Sequence, residues 1–200
     1  MFAVRAAFVL CLMSVGRSAP LACEDLLQPL DQLDPGHLEG RRAMVAGSLS
    51  FPPYMEGLRR RHSATINFSS NASGNGTHWR RSKRLDNKCH YASYDISLQG
   101  SSFTFDDGNV TTTFIRTSCR DCLLMSFDVE SGKRQHFYLF SRRRELVQEE
   151  LEEFRAQVEC LNSELWFLMG FKAHSDMVTN SIEYRKKKTC HDEVRSKCRI

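Results

Sequence analysis

Between about residue 43 and residue 141, stretches that alternate apolar and polar residues with period two recur along the chain. A period of two sends successive side chains to opposite faces of a strand, so each stretch has one face for a core and one for water. In 63–69, Ala64, Ile66 and Phe68 share a face, against Ser63, Thr65 and Asn67. In 89–98 the inner set is Ala92, Tyr94, Ile96 and Leu98, against Tyr91, Ser93, Asp95 and Ser97. Phe103 and Phe105 continue the pattern, and in 110–117 Phe114 and Arg116 share a face. The stretch 123–129 aligns Leu123, Met125, Phe127 and Val129, and 134–141 sets His136, Tyr138 and Phe140 against Gln135, Phe137 and Leu139. The connections Gln99-Gly-Ser-Ser, Asp106-Asp-Gly-Asn, Arg120-Asp and Glu130-Ser-Gly are tight turns, and closely spaced strands so joined form an antiparallel meander. A sandwich and a closed barrel satisfy this pattern equally.

After Ser141 the period changes. Val147, Leu151, Phe154, Val158 and Leu161 follow at helical spacing and predict one amphipathic helix, with Glu149, Glu150, Glu152 and Glu153 on its solvated face. Residues 181–188 read as a last strand running into a basic tail. No apolar run reaches the roughly 18 residues that a membrane-spanning helix needs.

The N-terminus carries Arg5, an apolar run from Ala6 to Val15, and then Gly16, Ser18, Ala19 and Ala22, which describes a secretory signal peptide over residues 1–19 with its boundary between 18 and 22. Asn67, Asn71, Asn75 and Asn109 each begin an N-glycosylation triplet, three of them within a Ser/Gly/Asn-rich stretch that reads as loop. Eight cysteines in 200 residues suit an oxidising compartment. Seven of them (Cys23, Cys89, Cys119, Cys122, Cys160, Cys190 and Cys198) follow the signal, and an odd number leaves one thiol free or paired with another chain. The net charge of +4 falls to about +2 without Arg5 and Arg17, too small a balance to indicate nucleic acid. No nucleophile triad, phosphate loop, metal-binding histidine pair or calcium loop is legible, so the expectation is a non-enzyme with no cofactor and no metal.

Five segments in this order resemble the lipocalin family: APLACEDLLQPL, DNKCHYASYDISLQ, CLLMSFDVESGK, ELVQEELEEFRAQVECL and SIEYRKKKTC. Within the family they are most similar to the alpha-1-acid glycoprotein branch, with the apolipoprotein M and fish toxin-binding branches as neighbours. The resemblance implies an all-β fold, an eight-stranded antiparallel up-and-down barrel with one C-terminal α-helix packed outside, over residues 20–190, followed by a basic tail at 191–200. An eight-stranded barrel has an interior that holds one small ligand. One departure stands out: the family's first strand carries Gly-x-Trp, and here Gly40-Arg41-Arg42 puts Arg42 in the Trp position. A buried guanidinium there needs a partner or a route to water.

The resemblance also implies disulfides Cys23–Cys160 and Cys89–Cys190. Cys119, Cys122 and Cys198 then provide either a hairpin bridge between the first two or a bridge from one of them to Cys198, and the leftover thiol supports either a monomer or a disulfide-linked dimer. Projecting the family's pocket onto this sequence points to Met125, Phe127, His136, Tyr138 and Phe140, with Phe68, Tyr94, Ile96, Phe103, Phe105 and Phe114 as further apolar wall. Arg116 is the cation expected beside them. Such a lining suits a small hydrophobic or amphipathic ligand, an acidic lipid ahead of a basic drug. Trp79 lies among Arg80, Arg81, Lys83 and Arg84, a cluster assigned to the mouth, and Arg81-Ser-Lys-Arg resembles a convertase cleavage site. The competing reading is an interaction protein that uses its basic clusters to bind glycosaminoglycan, lipoprotein or another protein, with no cavity ligand.

Overall fold

The computed structural model describes residues 22–70, 76–86, 88–161, 163 and 166–169. Its strands are β1 (Gly40–Leu49), β2 (Arg61–Ser70), β3 (Thr77–Leu85), β4 (Lys88–Ile96), β5 (Ser102–Phe105), β6 (Val110–Ile115), β7 (Cys122–Val129), β8 (Arg134–Ser141) and the short β9 (Trp166–Leu168). Helices are α1 (Cys23–Leu26), α2 (Pro35–Leu38), α3 (Met55–Arg59) and α4 (Gln148–Cys160). Neighbouring strands pair antiparallel in the order β4-β3-β2-β1-β8-β7-β6-β5, and β9 adds to β1. Because β1 pairs with both β2 and β8, the meander wraps into a barrel, nearly closed, with its seam between β4 and β5. The choice between sandwich and barrel is thereby decided.

The alternation read from the sequence sorts side chains as a barrel wall requires. Ala64, Ile66, Phe68, Phe103, Phe105, Phe114, Met125, Phe127, Tyr138 and Phe140 point inward into one core cluster. The opposite faces of β6, β7 and β8 give Ile115, Leu124, Phe137 and Leu139, which meet Phe154 and Val158 of α4 in a second cluster outside the barrel. Phe137 and Phe154 stack at 5.8 Å. β1 lacks clean alternation because both its faces are covered: Met44 and Leu49 join the inner cluster, Val45 and Ala46 the outer one, with a bulge between Met44 and Ala46. The hairpins at 106–109 and 130–133 place Asp106, Asp107 and Gly108, then Glu130, Ser131 and Gly132, at positive φ. Glycine tolerates that region at no steric cost and aspartate tolerates it well.

Several expectations need correction. The sequence marks 80–84 only as a basic cluster; the segment belongs to β3, a full strand paired on both sides, so Arg81-Ser-Lys-Arg is locked in the sheet rather than displayed as a loop. Val147 does not belong to the buried stripe of α4: it precedes the first turn and is exposed, while Gln157 is buried in its stead. The Gln157 amide donates to the carbonyls of Leu26 and Arg116, both at 2.9 Å, tying α4 to the N-terminal arm and to the end of β6. Nor do all four glutamates face water freely. Glu150 accepts from the Val147 backbone N–H at 3.0 Å and pairs with Arg143 at 2.6 Å, and Glu153 accepts from Ser118 and Thr117.

Cys23 and Cys160 form a disulfide, as do Cys119 and Cys122, which settles the hairpin alternative. Cys89 is also disulfide-bonded. Cys190, Cys198, the signal segment, Asn71, Asn75, the 181–188 strand and the basic tail lie outside the described residues. Asn67 sits half-exposed on the outer face of β2, and Asn109 is exposed in a hairpin turn.

Arg42 is 1% exposed, at the end of the barrel where the N-terminal arm crosses. Its guanidinium is held by carbonyls: it donates to Leu38 O at 2.9 Å, Asp121 O at 3.3 Å, Glu39 O at 3.4 Å, and to His37 O. The last residues of α2 have carbonyls without intrahelical partners, and a cation suits that end of a helix. Burial, with the neighbouring Arg142 adding to it, lowers the Arg42 pKa to about 10. The charge therefore persists at neutral pH, capped rather than paired.

Candidate ligand-binding site

Inner-face residues of β2, β3 and β4 line up in rungs across the sheet: Phe68–Trp79–Tyr94, Ile66–Arg81–Ala92 and Ala64–Lys83–His90. The first rung is apolar and belongs to a solid aromatic layer. Phe68 stacks on Trp79 at 6.0 Å and meets Phe114 at 5.9 Å, and Phe103 packs on Trp79 at 5.3 Å. Towards the far end of the barrel, away from Arg42, the next two rungs turn cationic and the packing opens into a cavity of about 470 Å³. Its walls combine Trp79, Phe105, Phe127, Tyr138 and Phe140 with Arg61, Arg81, Lys83, His90 and His136, and Asp106 is the one carboxylate among them. The volume lies within the range of about 300–1,000 Å³ usual for small-molecule sites.

Of the expected site residues, Phe105, Phe127, His136, Tyr138 and Phe140 line this cavity. Phe68, Ile96, Phe103, Phe114 and Met125 are buried in the same cluster but fill the barrel beneath it. Tyr94 stands at the edge, accepting a hydrogen bond from Arg81 at 2.7 Å. Arg116 is not part of the site. β6 ends at Ile115, so the alternation that put Arg116 beside Phe114 stops one residue short; its side chain is half-exposed and pairs with Asp31 of the N-terminal arm. The cations at the cavity are instead Arg61, Arg81 and Lys83. Their signal was present in the sequence: Trp79, Arg81 and Lys83 alternate at period two and share a face. The high charge of 80–84 disguised that strand as a loop. Arg80 and Arg84 take the outer face of β3, so the basic cluster is divided between lumen and solvent.

The electrostatics follow from this crowding. Lys83 has a lowered pKa, through burial and then the charges of Arg61 and Arg81. His136 is pushed down to about 4 by burial, Arg61 and Arg134, and is neutral at physiological pH. Its Nδ1 lies 3.3 Å from the Tyr138 hydroxyl, and burial raises the Tyr138 pKa. Arg61 sits over the Tyr138 ring at 5.8 Å. Trp79 Nε1, His136 Nε2 and Arg61 Nε are buried without a hydrogen-bond partner among the described residues. A polar group left so costs roughly 1–3 kcal/mol, and a ligand that met it would recover that cost. Over the mouth, Tyr54 lies 6.3 Å from His136 and under Arg134 at 5.2 Å, a contact that the sequence did not suggest.

No protein-family model matches this chain, and no curated protein matches it. Among solved structures, it is similar to the one reported as "The Siderocalin Ex-FABP functions through dual ligand specificities", at 14% identity with a TM-score of 0.58. The match covers 69% of this chain and 97% of that one. At that identity the likeness concerns the backbone, and the backbone agrees with the strand order and outer helix described above: the chain has the lipocalin fold.

Proposed function

We propose that this protein is a secreted, glycosylated lipocalin that carries or sequesters a small amphipathic ligand, holding its apolar part against the aromatic layer and an anionic head among Arg61, Arg81 and Lys83. The observation that carries this reading is the cavity itself: aromatic at its base, with three cations against one carboxylate in its upper walls. A cation in a partly dry cleft attracts an anion far more strongly than one in open water. The unpartnered nitrogens of Trp79, His136 and Arg61 also suit a ligand with acceptor oxygens. No reaction is proposed. The one hydroxyl–base contact that the lining shows among the described residues, Tyr138 OH to His136 Nδ1 at 3.3 Å, joins a phenol whose pKa burial raises to an imidazole whose pKa burial lowers, a poor pair for activating a nucleophile. The cystines Cys23–Cys160 and Cys119–Cys122 stand outside the cavity.

Native mass spectrometry of the secreted, deglycosylated protein tests this. The expected result is a reproducible small-molecule adduct, released and identified as an anionic amphiphile, with fatty acids or lysophospholipids displacing a fluorescent probe. A clean apo mass with no uptake from a panel of lipids and drugs would overturn the carrier reading and direct attention to the outer basic residues. Displacement by basic drugs alone would overturn the charge assignment.

A further inference from the structure

The guanidinium of Arg81 is not simply one of three cations at the mouth. It lies 5.4 Å from the ring centre of Trp79, 5.1 Å from Tyr94 and 5.3 Å from Phe105. Those three rings are themselves mutual neighbours, with centroids 5.3 Å (Trp79–Tyr94), 5.0 Å (Trp79–Phe105) and 5.0 Å (Tyr94–Phe105) apart. The four centres form a nearly regular tetrahedron, with a cation at its apex and three aromatic rings as its base. Three π faces converging on one point within about 6 Å are what recognise quaternary ammonium and guanidinium ligands. Here the chain supplies the cation itself, and the hydrogen bond from Arg81 to the Tyr94 hydroxyl at 2.7 Å holds it there.

We propose that Arg81 is the residue that sets ligand charge, by occupying with its own guanidinium an aromatic box that would otherwise accept a cationic ligand. The inference rests on the carrier reading for its amphiphile arm but not for the box. With Arg81 seated, the box is filled and the charge it leaves at the cavity favours an anionic head. Without it, Trp79, Tyr94 and Phe105 present an unoccupied cation site, and the cavity keeps only Arg61 and Lys83 as cations. One residue thus separates two ligand classes that the same aromatic walls could serve. The box sits at the β4–β5 seam, since Tyr94 belongs to β4 and Phe105 to β5, so Arg81 also helps hold together two strands that no ladder joins among the described residues.

The test uses Trp79 as its reporter. The chain has two tryptophans, so a Trp166→Phe background isolates the Trp79 signal. Decyl phosphate, decyltrimethylammonium and the tail-less tetramethylammonium ion are titrated into the Arg81→Ala, Arg81→Lys and parent proteins, each checked for folding by circular dichroism. The parent is expected to favour decyl phosphate over decyltrimethylammonium by tenfold or more. Arg81→Ala should move that ratio at least tenfold towards the cation and gain a Trp79 response to tetramethylammonium, while Arg81→Lys keeps the parent preference. An unchanged ratio in folded Arg81→Ala, with no response to tetramethylammonium, would overturn the assignment while leaving the carrier reading standing. A response to tetramethylammonium without uptake of either amphiphile would keep the box and overturn the carrier reading. If Arg81→Ala fails to fold, Arg81→Met removes the charge while its bulk keeps the box filled; the amphiphile ratio alone is then read, a shift towards the cation supporting the assignment and an unchanged ratio overturning it.

Discussion

At the scale of single residues, the buried Arg42 and the half-buried His136 meet the cost of desolvation differently. Arg42 keeps its charge by capping carbonyls, some of which have a second donor: Arg142 also reaches Glu39 O at 2.7 Å and His37 O at 3.2 Å. Arg42→Trp replaces five N–H donors with one and strands the Leu38 carbonyl. We expect a loss of roughly 2–3 kcal/mol in urea unfolding. Equal or greater stability would mean that desolvation of the guanidinium outweighs its bonds. His136 gives up its charge instead. Unfolded, its ring takes a proton near pH 6.5; folded, only near pH 4. Between those values the unfolded chain binds more protons, so stability is fully present above about pH 6.5 and falls as the pH drops towards 4, by roughly 2–3 kcal/mol from this residue. His136→Leu should flatten that part of the profile, and unfolding midpoints at pH 7 and pH 5 read it directly. Parallel profiles for the two proteins would contradict the assignment.

Among the elements, α4 shows how far a sequence pattern carries. Phe154 and Val158 fall where the helical period puts them, and they meet the outward face of β8. Gln157 and Glu153 were not legible as contacts, because their partners, Leu26, Arg116, Thr117 and Ser118, come from segments far away in the chain. The covalent counterpart is Cys23–Cys160, which spans a sequence separation of 137 and closes the N-terminal arm onto the end of α4. Removing it as Cys23→Ser with Cys160→Ser should cost about 3–5 kcal/mol in the chain-entropy account, seen as a lower urea midpoint. A midpoint unchanged by the double substitution would show that Gln157 and the Phe137–Phe154 stack already anchor the helix.

The whole barrel has one weak line. Among the described residues β4 pairs only with β3 and β5 only with β6, and side chains such as Tyr94 and Phe105 span the gap. Among the described residues the backbone link across that seam is the isolated bridge Gln99–Ser102, whereas β1, β7 and β8 are each paired along ladders on both sides. Amide hydrogen exchange should therefore be fastest along β4 and β5 and slowest in β1, β7 and β8, because local opening is easiest where fewest hydrogen bonds must break. Uniform protection around the barrel would show the seam to be closed in solution.

The strands of β2 and β4 to β8, the helix and the inward aromatics other than Trp79 were legible in the sequence by themselves, because period two and period 3.6 are local properties that a one-sided core imposes on neighbouring residues. β1 was faint because both its faces are buried, and β3 was hidden because its lumen-facing positions are Arg81 and Lys83 where a core would carry apolar side chains. Which aromatics line the cavity and which fill the barrel below depended on depth along the barrel axis. Periodicity assigns a residue to a face and is silent on depth. The cations followed the same rule: Arg116 and Arg81 each sit two residues from an inward aromatic, yet only Arg81 lies on a strand that continues. Only the closing of the sheet, which sets Trp79, Tyr94 and Phe105 of three different strands around one guanidinium, turned that local alternation into a site.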